Sequence, residues 1–140
     1  METNAKMFDG YADKYDQWFL TNNRVFESEL KLLHACLNPL KKDKILSVGC
    51  GSGLFESALK REYDIIVEYG LEPSTDMAKI AEKRGVKVEI GDAETTSLKA
   101  EEYDVIYLNG CSTYIADLSS AYRNCYNALK KGGHLILLDV

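Results

Sequence analysis

The stretch Ile45-Leu46-Ser47-Val48-Gly49-Cys50-Gly51-Ser52-Gly53 decides the fold of this chain, because it joins an apolar run to three glycines on alternate positions. The apolar run predicts a buried strand, and apolar residues at helical spacing follow the last glycine. Glycine is needed where the backbone takes a positive φ or lies directly against a ligand, and the next helix begins with unpaired N–H groups. The sequence therefore predicts strand, ligand-binding turn and helix, an arrangement that suits a cofactor containing adenosine.

The spacing of the glycines separates the classes of nucleotide site that this turn can form. A dinucleotide fingerprint has G-x-G-x-x-G, whereas this chain has Gly49-x-Gly51-x-Gly53 and places Leu54 where the third glycine would fall. No Lys followed by Ser or Thr comes after the glycines, as a P-loop would require. The pattern weakens an NAD site and argues against a triphosphate ligand.

The composition of the 140-residue chain is typical of one soluble domain with a core of its own, since 46% of its residues are hydrophobic. No apolar run approaches the ~20 residues of a membrane span, and the amino terminus lacks the order of a signal peptide, so we expect a cytoplasmic protein. The four cysteines form no C-x-x-C pair, so no metal site is expected. A net charge of −5 without a basic block argues against an extended nucleic-acid surface.

Residues 1–43 are predicted to form an N-terminal helical segment. Aromatic residues recur there at helical spacing, which predicts either a helix packed on the core or a lid over the ligand. Both can hold if Trp18 and Phe19 lie in the core while Tyr11 and Tyr15 face the site. A second helix is predicted from the apolar stripe of Phe26, Leu30, Leu33 and Leu37.

The remaining chain alternates strands with helices, which predicts right-handed βαβ units and a parallel sheet covered on both faces. Ligands bind such sheets outside the carboxyl ends of the strands, where the strand order reverses. The first four predicted strands end at Gly49, Glu72, Asp92 and Asn109. The sequence thus predicts that glycine and polar side chains meet at one edge of the sheet.

The sequence pattern also predicts where three of these elements begin or end. The second strand is predicted over residues 64–71 from its apolar run. Asp117 is predicted to cap a helix whose apolar stripe continues to Leu129. A fifth strand over residues 134–140 is almost continuously apolar, which is typical of a strand covered on both faces.

The motifs in this order resemble the class I S-adenosylmethionine-dependent methyltransferases, most closely the small-molecule branch called methyltransferase type 11. The resemblance implies an α/β, Rossmann-like doubly wound parallel sheet with strand order 3-2-1-4-5. It also implies that residues 44–140 bind S-adenosyl-L-methionine and that residues 1–43 form a helical lid within the same structural domain. The matching segments are V-G-C-G-S-G at 48–53, E-P-S at 72–74, G-D-A-E at 91–94, Y-D-V-I at 103–106 and A-L-K-K-G-G at 128–133.

The resemblance implies that the glycine turn and the acid after the second strand contact different parts of the cofactor. The backbone of Gly49, Cys50 and Gly51 would pass along the methionine part. Glu72 would accept hydrogen bonds from both ribose hydroxyls, which a carboxylate can do because it only accepts. The family usually has Asp or Glu two residues before the first glycine, where it helps to hold the cofactor's ammonium group. This chain has Ser47 there.

The same resemblance implies that residues later in the chain contact the adenine and the methyl group of the cofactor. Pro73 and Met77 would flank the adenine ring. Asp92 would accept from its exocyclic amine, and the N–H of Ala93 would donate to a ring nitrogen. Asn109 would begin the loop that passes the methyl group, and Tyr11 and Tyr15 would come from the lid.

We read the sequence as a methyltransferase that acts on an unidentified small-molecule acceptor. Tyr11, Tyr15, Tyr114 and Asp117 are candidates for orienting or deprotonating the acceptor, and the sequence assigns no catalytic residue among them. One alternative is a non-catalytic S-adenosylmethionine-binding module or the incomplete half of an enzyme. Another is an NAD-dependent oxidoreductase, because an acid follows the glycines by about 20 positions.

The family sheet continues beyond its fifth strand, whereas this sequence stops at Val140. We therefore expect that part of the usual substrate-binding apparatus is absent and that one edge of the fifth strand is uncovered. An exposed hydrophobic edge strand invites pairing with another chain. The sequence thus predicts self-association through this edge.

Overall fold

The computed structural model describes residues 12–139, which form a five-stranded parallel sheet with helices on both faces. The elements are α1 (Ala12–Thr21), α2 (Asn23–Leu37), β1 (Ile45–Val48), α3 (Leu54–Tyr63), β2 (Tyr69–Glu72), α4 (Thr75–Lys83), β3 (Lys87–Ile90), β4 (Tyr103–Asn109), α5 (Leu118–Ala128) and β5 (Leu129–Leu138). The strand order is β3-β2-β1-β4-β5, and every neighbouring pair is parallel. The predicted fold class and strand order are confirmed.

The core lies on both faces of β1 and β4, whose side chains alternate between two apolar clusters. On one face Ile45, Val105 and Tyr107 pack against α1, α2 and α3. On the other face Leu46 and Ile106 pack against α5. No helix within residues 12–139 is long and apolar enough to span a membrane.

Two polar side chains begin helices that follow the sheet. The hydroxyl of Ser74 accepts a hydrogen bond from the N–H of Met77 (3.3 Å) at the start of α4. The carboxylate of Asp117 accepts from the N–H of Ser120 (3.2 Å) at the start of α5. Each cap satisfies a helical N–H that has no partner inside its own helix, so these side chains fix where the two helices begin.

The second strand is shorter than predicted, because β2 begins at Tyr69 and residues 64–68 lie outside the sheet. Asp64 ends α3 in the left-handed conformation (φ 55°), and the chain then needs several residues to reach the sheet. Ile65 and Val67 still point into the core, whereas Ile66 is 61% exposed. An alternating apolar pattern here reflects packing without strand pairing.

The prediction for the N-terminal helix is wrong at Trp18 and correct at Phe19. Phe19 is buried, but Trp18 is 52% exposed and touches only the edge of the Phe19 ring among the aromatic contacts of the described residues (centroids 5.1 Å apart). A short helix at the surface buries a narrow stripe, and that stripe runs through Asp16 and Phe19. Tyr11 lies outside the described residues.

The fifth strand begins earlier and is less covered than predicted. Leu129, which the sequence places in α5, already has extended angles (φ −80°, ψ 139°) and pairs with Tyr103. The next pair along the strands is Val105 with His134, so the chain bulges between them. Since β5 has β4 as its only sheet neighbour in residues 12–139, much of it is half-buried and Leu137 is 41% exposed.

Candidate functional site

A cavity lies at the carboxyl ends of the strands. Its walls come from α1, the glycine turn after β1, the ends of β2 and β4, the start of α4 and the loops after β3 and β4. The chain leaves β1 toward β2 on one side and later returns to β4 on the other, so the strand order reverses here. This place is typical of a small-molecule site.

The structure brings together most of the residues that the sequence assigns to the site. Cys50 is an exception, since its side chain packs with Ala81 and Val86 away from the cavity and only its backbone could serve a ligand. Tyr11 lies outside the described residues. The predicted residues that line the cavity are Tyr15, Gly49, Gly51, Glu72, Pro73, Met77, Asp92, Ala93 and Asn109.

The glycine turn needs its glycines for two different reasons. Gly49 has φ 73°, and a Cβ there would lie 2.9 Å from the Sγ of Cys111, so both conformation and space exclude a side chain. Gly51 has φ 58°, but no atom lies within 4 Å of the point that a Cβ would occupy, so its requirement is conformational. The N–H of Gly49 donates to the carbonyl of Leu71 (2.7 Å), which ties the turn to the end of β2.

Glu72 holds the turn and the next helix in place from the end of β2. Its side chain is only 5% exposed, and one oxygen accepts from the N–H of Gly51 (2.8 Å) while the other accepts from the N–H of Ser74 (2.8 Å). A carboxylate has about four acceptor positions, so a ligand hydroxyl can share it with these two backbone groups. The sequence predicted the ligand role of Glu72 and missed this structural one.

The loop after β3 is fixed by its own acid. The Oδ1 of Asp92 accepts from the N–H of Glu94 (3.0 Å) and the N–H of Thr95 (2.7 Å). The carbonyl of Ala93 accepts from the side-chain amide of Asn124 on α5 (3.0 Å). These bonds hold Asp92 and Ala93 against the cavity without help from a ligand.

The charge of the cavity wall is strongly one-sided. Three carboxylates, of Glu72, Asp92 and Glu94, line it, and none of its described lining residues is Lys, Arg or His. Such a wall favours hydrogen-bond donors and positive charge and disfavours phosphate groups. Cys111 also lines the cavity, and burial raises the pKa of its thiol to about 12, so it is not a thiolate nucleophile near neutral pH.

Helix α1 reaches the cavity through Tyr15 and is anchored by a polar cluster that we call the α1 clamp, formed by the buried Asp16 and Ser52 and the half-buried Arg84. Asp16 accepts from the hydroxyl of Ser52 and pairs with the guanidinium of Arg84 (2.8 Å), which also donates to the carbonyl of Ser52 (2.8 Å). Burial, with smaller contributions from nearby acids and Tyr114, raises the pKa of Tyr15 far above its usual range. Its hydroxyl is therefore a neutral hydrogen-bonding group.

Residues 46–137 match the sequence profile of the methyltransferase domain family, type 11. The chain belongs to this family. The match covers well over half of the chain and reaches every strand of the sheet. Class I methyltransferases of this type bind S-adenosylmethionine, and their core sheet has the order described above.

Individual relatives of this methyltransferase domain are longer proteins. An uncharacterized protein of Methanocaldococcus jannaschii is 33% identical and covers 94% of this chain, which spans 60% of that protein. The ubiquinone biosynthesis O-methyltransferase of Aliivibrio fischeri is 34% identical, with 93% of this chain and 59% of the relative covered. The chain thus spans about three fifths of the length of these curated relatives.

A solved structure is matched over similar shares of this chain and of its own length. It is an S-adenosylmethionine-dependent methyltransferase of Thermotoga maritima described as a possible histamine N-methyltransferase. It superposes with a TM-score of 0.83 at 35% identity and covers 96% of this chain and 61% of its own. The methyltransferase core of that protein therefore corresponds to nearly all of this chain.

The cavity wall also includes residues that sequence reasoning missed. Some adjoin predicted residues and could have been found by extension, as with Val48, Leu71 and Glu94. Cys111 and Ile115 come from the loop after β4, which has no periodicity to place them. Tyr114, a candidate for orienting the acceptor, lies on the cavity wall, whereas the carboxylate of Asp117 serves as the cap of α5.

Proposed function

We propose that this chain binds S-adenosyl-L-methionine in the cavity and contributes the cofactor-binding part of an enzyme that methylates a small molecule. The proposal rests on the charge of the cavity wall, where three carboxylates face a space without a cationic side chain among its described lining residues. The cofactor offers a sulfonium, an ammonium, two ribose hydroxyls and an adenine amine, which are positive charges or hydrogen-bond donors. The pyrophosphate of NAD would instead meet repulsion, which disfavours the oxidoreductase alternative.

The chemistry of the wall fits the parts of this cofactor one by one. Glu72 would accept from the ribose hydroxyls while it keeps its bonds to the backbone. Asp92 would accept from the adenine amine, and Ala93 would donate its N–H to the ring. The ring itself would lie between Pro73 and Met77, which supply flat and polarisable apolar contacts.

The reaction would require little chemical help from the protein. When bound, the cofactor supplies an activated methyl group on a sulfonium that is already a good leaving group. The chain would hold the acceptor in line with the methyl carbon and exclude water. Tyr15, Asn109 and Tyr114 line the cavity with polar groups that can orient an acceptor by hydrogen bonds.

The acceptor is proposed only as a small molecule. The two named enzymes among the relatives are called an O-methyltransferase and a possible N-methyltransferase, so the atom they methylate differs. In our proposal residues 44–140 bind the cofactor, and residues 1–43 cover it as a helical lid. The alternative is that the chain binds the cofactor and does not catalyse transfer by itself.

Binding and turnover separate these readings. Isothermal titration with S-adenosylmethionine, S-adenosylhomocysteine and NAD in parallel should give binding of the first two only. Binding of NAD alone would overturn the proposal. A screen of candidate acceptors with methyl-labelled cofactor would then distinguish an enzyme, which transfers the label, from a binding module, which does not.

We also propose that the outer edge of β5 supports self-association of this 140-residue form. Within residues 12–139 the strand pairs on one side only, and the exposed Leu137 adds an apolar side chain to that edge. Light scattering over a range of concentrations should show a mass that rises with concentration. A stable monomer at high micromolar concentration would contradict this proposal without affecting cofactor binding.

A further inference from the structure

A buried polar cluster lies between the sheet and α3, directly behind the glycine turn. It consists of Glu56 on α3, Ser47 on β1 and Tyr107 on β4, each at most 5% exposed. One carboxyl oxygen of Glu56, Oε2, accepts a hydrogen bond from the hydroxyl of Tyr107. The other, Oε1, is the only buried side-chain nitrogen or oxygen atom of residues 12–139 that lacks a hydrogen-bond partner.

An unpartnered carboxyl oxygen at this depth is costly and needs an explanation. Burying a polar atom without a partner is unfavourable, and native structures rarely leave one without a water, an ion or a ligand to satisfy it. The other buried side chains of the same helix, Ala58 and Leu59, belong to the apolar cluster between α2, α3 and the sheet. The carboxyl group is therefore a specific feature of the site and a poor choice for packing alone.

The surroundings of Glu56 connect it to the cavity. Ser47 stands two residues before Gly49, which lines the cavity, and its hydroxyl is close enough to Glu56 to oppose the rise that burial causes in the pKa of that carboxyl. Tyr15 also lines the cavity, and the charge of Glu56 is among the influences that raise the pKa of its hydroxyl. The carboxyl thus lies behind the wall that Tyr15 and the glycine turn share.

We propose that Glu56 is the anionic group that holds the ammonium group at the amino-acid end of the bound cofactor, through its Oε1 atom. The proposal rests on the proposed cofactor and deepens it. A residue of the turn itself does not provide this charge, because Ser47 is neutral. The structure places a carboxyl beside Ser47 from the next helix instead.

The electrostatics of this cluster fit a site that receives a cation. Burial raises the pKa of Glu56 above its usual value, although hydrogen bonds from Tyr107 and Ser47 oppose the change. An ammonium group at Oε1 would favour the ionised carboxylate and satisfy the unpartnered atom at once. The same residue would then be unfavourable in the free protein and favourable in the complex.

Two ligands that differ only at the amino-acid end provide the test. S-adenosylhomocysteine carries the ammonium group, whereas 5′-methylthioadenosine keeps the adenosine and the sulfur and lacks the amino acid. Glu56→Gln should weaken binding of S-adenosylhomocysteine tenfold or more and leave binding of 5′-methylthioadenosine within about twofold. Glu62→Gln is the matched control, because Glu62 lies on the same helix with its side chain 46% exposed.

Each other outcome has a definite meaning. Equal losses for both ligands, or no loss for either, would overturn the role of Glu56. If the unmodified protein binds neither ligand, the proposed function fails, and that failure is distinct from a failure of this inference. Should Glu56→Gln not fold, Glu56→Asp keeps the charge and withdraws it by one methylene. It should then weaken S-adenosylhomocysteine selectively, and an equal effect on both ligands would overturn the inference.

Discussion

The two ends of the sheet differ in whether their acidic side chains are paired with basic ones. At the amino end Glu102 pairs with Lys44, and Asp104 pairs with Lys130 (3.5 Å) while it also accepts from the backbone N–H of Lys44 (2.9 Å). At the carboxyl end Glu72 and Asp92 are held by backbone N–H groups, and the acids that line the cavity meet no cationic side chain among the described lining residues. The amino end neutralises its charge within the protein, whereas the carboxyl end leaves negative charge on the cavity wall.

This contrast predicts which substitutions affect binding. Ion pairs at the surface contribute little to stability, because solvent screens them and the long side chains lose freedom. A buried carboxylate that holds backbone N–H groups leaves them unsatisfied when it is removed. Paired substitutions at the two ends should therefore separate stability from ligand binding.

The largest effect is expected from Glu72→Ala. Loss of the carboxylate leaves the N–H groups of Gly51 and Ser74 without this partner, at about 1–3 kcal/mol each, so unfolding should become easier by about 2–6 kcal/mol. Affinity for S-adenosylhomocysteine should also fall tenfold or more, since each 1.4 kcal/mol is about a factor of ten. Chemical denaturation and calorimetric titration measure the two effects.

Glu102→Ala is the control at the amino end, where it removes the ion pair with Lys44. It should leave the affinity unchanged. A variant of Glu72 that loses stability and keeps full affinity would show that its role is structural alone.

The second effect is expected from a substitution that adds a carboxylate at the carboxyl end of the sheet, where negative charge is already in excess. Ser47→Asp places an acid beside Glu56 in a cluster that is almost fully buried, so two like charges compete and one pKa must rise. We expect a loss of about 2–3 kcal/mol in the free energy of unfolding. The Ser47→Asp/Glu56→Gln double variant should regain the stability that Ser47→Asp loses and the affinity for S-adenosylhomocysteine that Glu56→Gln loses. A single variant as stable as the unmodified protein would contradict the crowding of charge.

The third effect compares two glycines that share a conformation. Gly51 (φ 58°) lines the cavity, and Gly132 (φ 80°) lies in the bulge of β5 near the amino end, each with open space around a Cβ. Alanine in the left-handed conformation costs roughly 1–2 kcal/mol, so both Gly→Ala variants should lose similar stability. Only Gly51→Ala should weaken binding of S-adenosylhomocysteine. Equal affinities for the two variants would mean that the backbone of the turn does not touch the ligand.

The smallest effect is a difference in pH dependence. The pKa of Glu56 is raised above its ordinary value of 4.5 by burial, so its contribution to stability declines as pH rises above 4.5 toward the folded-state pKa. The pKa of Glu102 is lowered, chiefly by its hydrogen bond from Lys44, so its contribution is lost as pH falls below 4.5. Melting temperatures without ligand should show Glu56→Gln flattening the decline toward neutral pH by about a few degrees. Glu102→Gln should flatten only the acid limb, and the reverse assignment would contradict the contrast.

The fold could be predicted from the sequence wherever local pattern and packing agree. The glycine turn, the stripe of α2 and the alternation of strands with helices are visible in the local sequence, so the parallel sheet and the edge that carries the cavity followed from them, whereas the strand order followed from the family resemblance. The pattern failed at residues 64–68, where apolar side chains pack without pairing, and at Trp18, where an aromatic residue faces solvent. In both cases position relative to the rest of the fold overrides local preference.

The candidate site could be predicted from the sequence for the residues that belong to recognisable motifs. Acids at strand ends are visible in the sequence, and most of them line the cavity. Glu56 was missed because its position in α3 reads as an ordinary surface charge, and only the tertiary structure shows that it faces the sheet. The second role of Glu72, which holds the backbone of Gly51, depends on an approach that local sequence does not encode.

The α1 clamp has a consequence for the rate at which a ligand can leave. Asp16 joins the helix that carries Tyr15 to Ser52 in the glycine turn and to Arg84 at the end of α4, so these segments cannot separate one at a time. Opening the cavity on this side requires breaking a largely buried ion pair and its hydrogen bonds together. We therefore expect residence time to follow the opening of α1, with dissociation slow even when each contact to the ligand is modest.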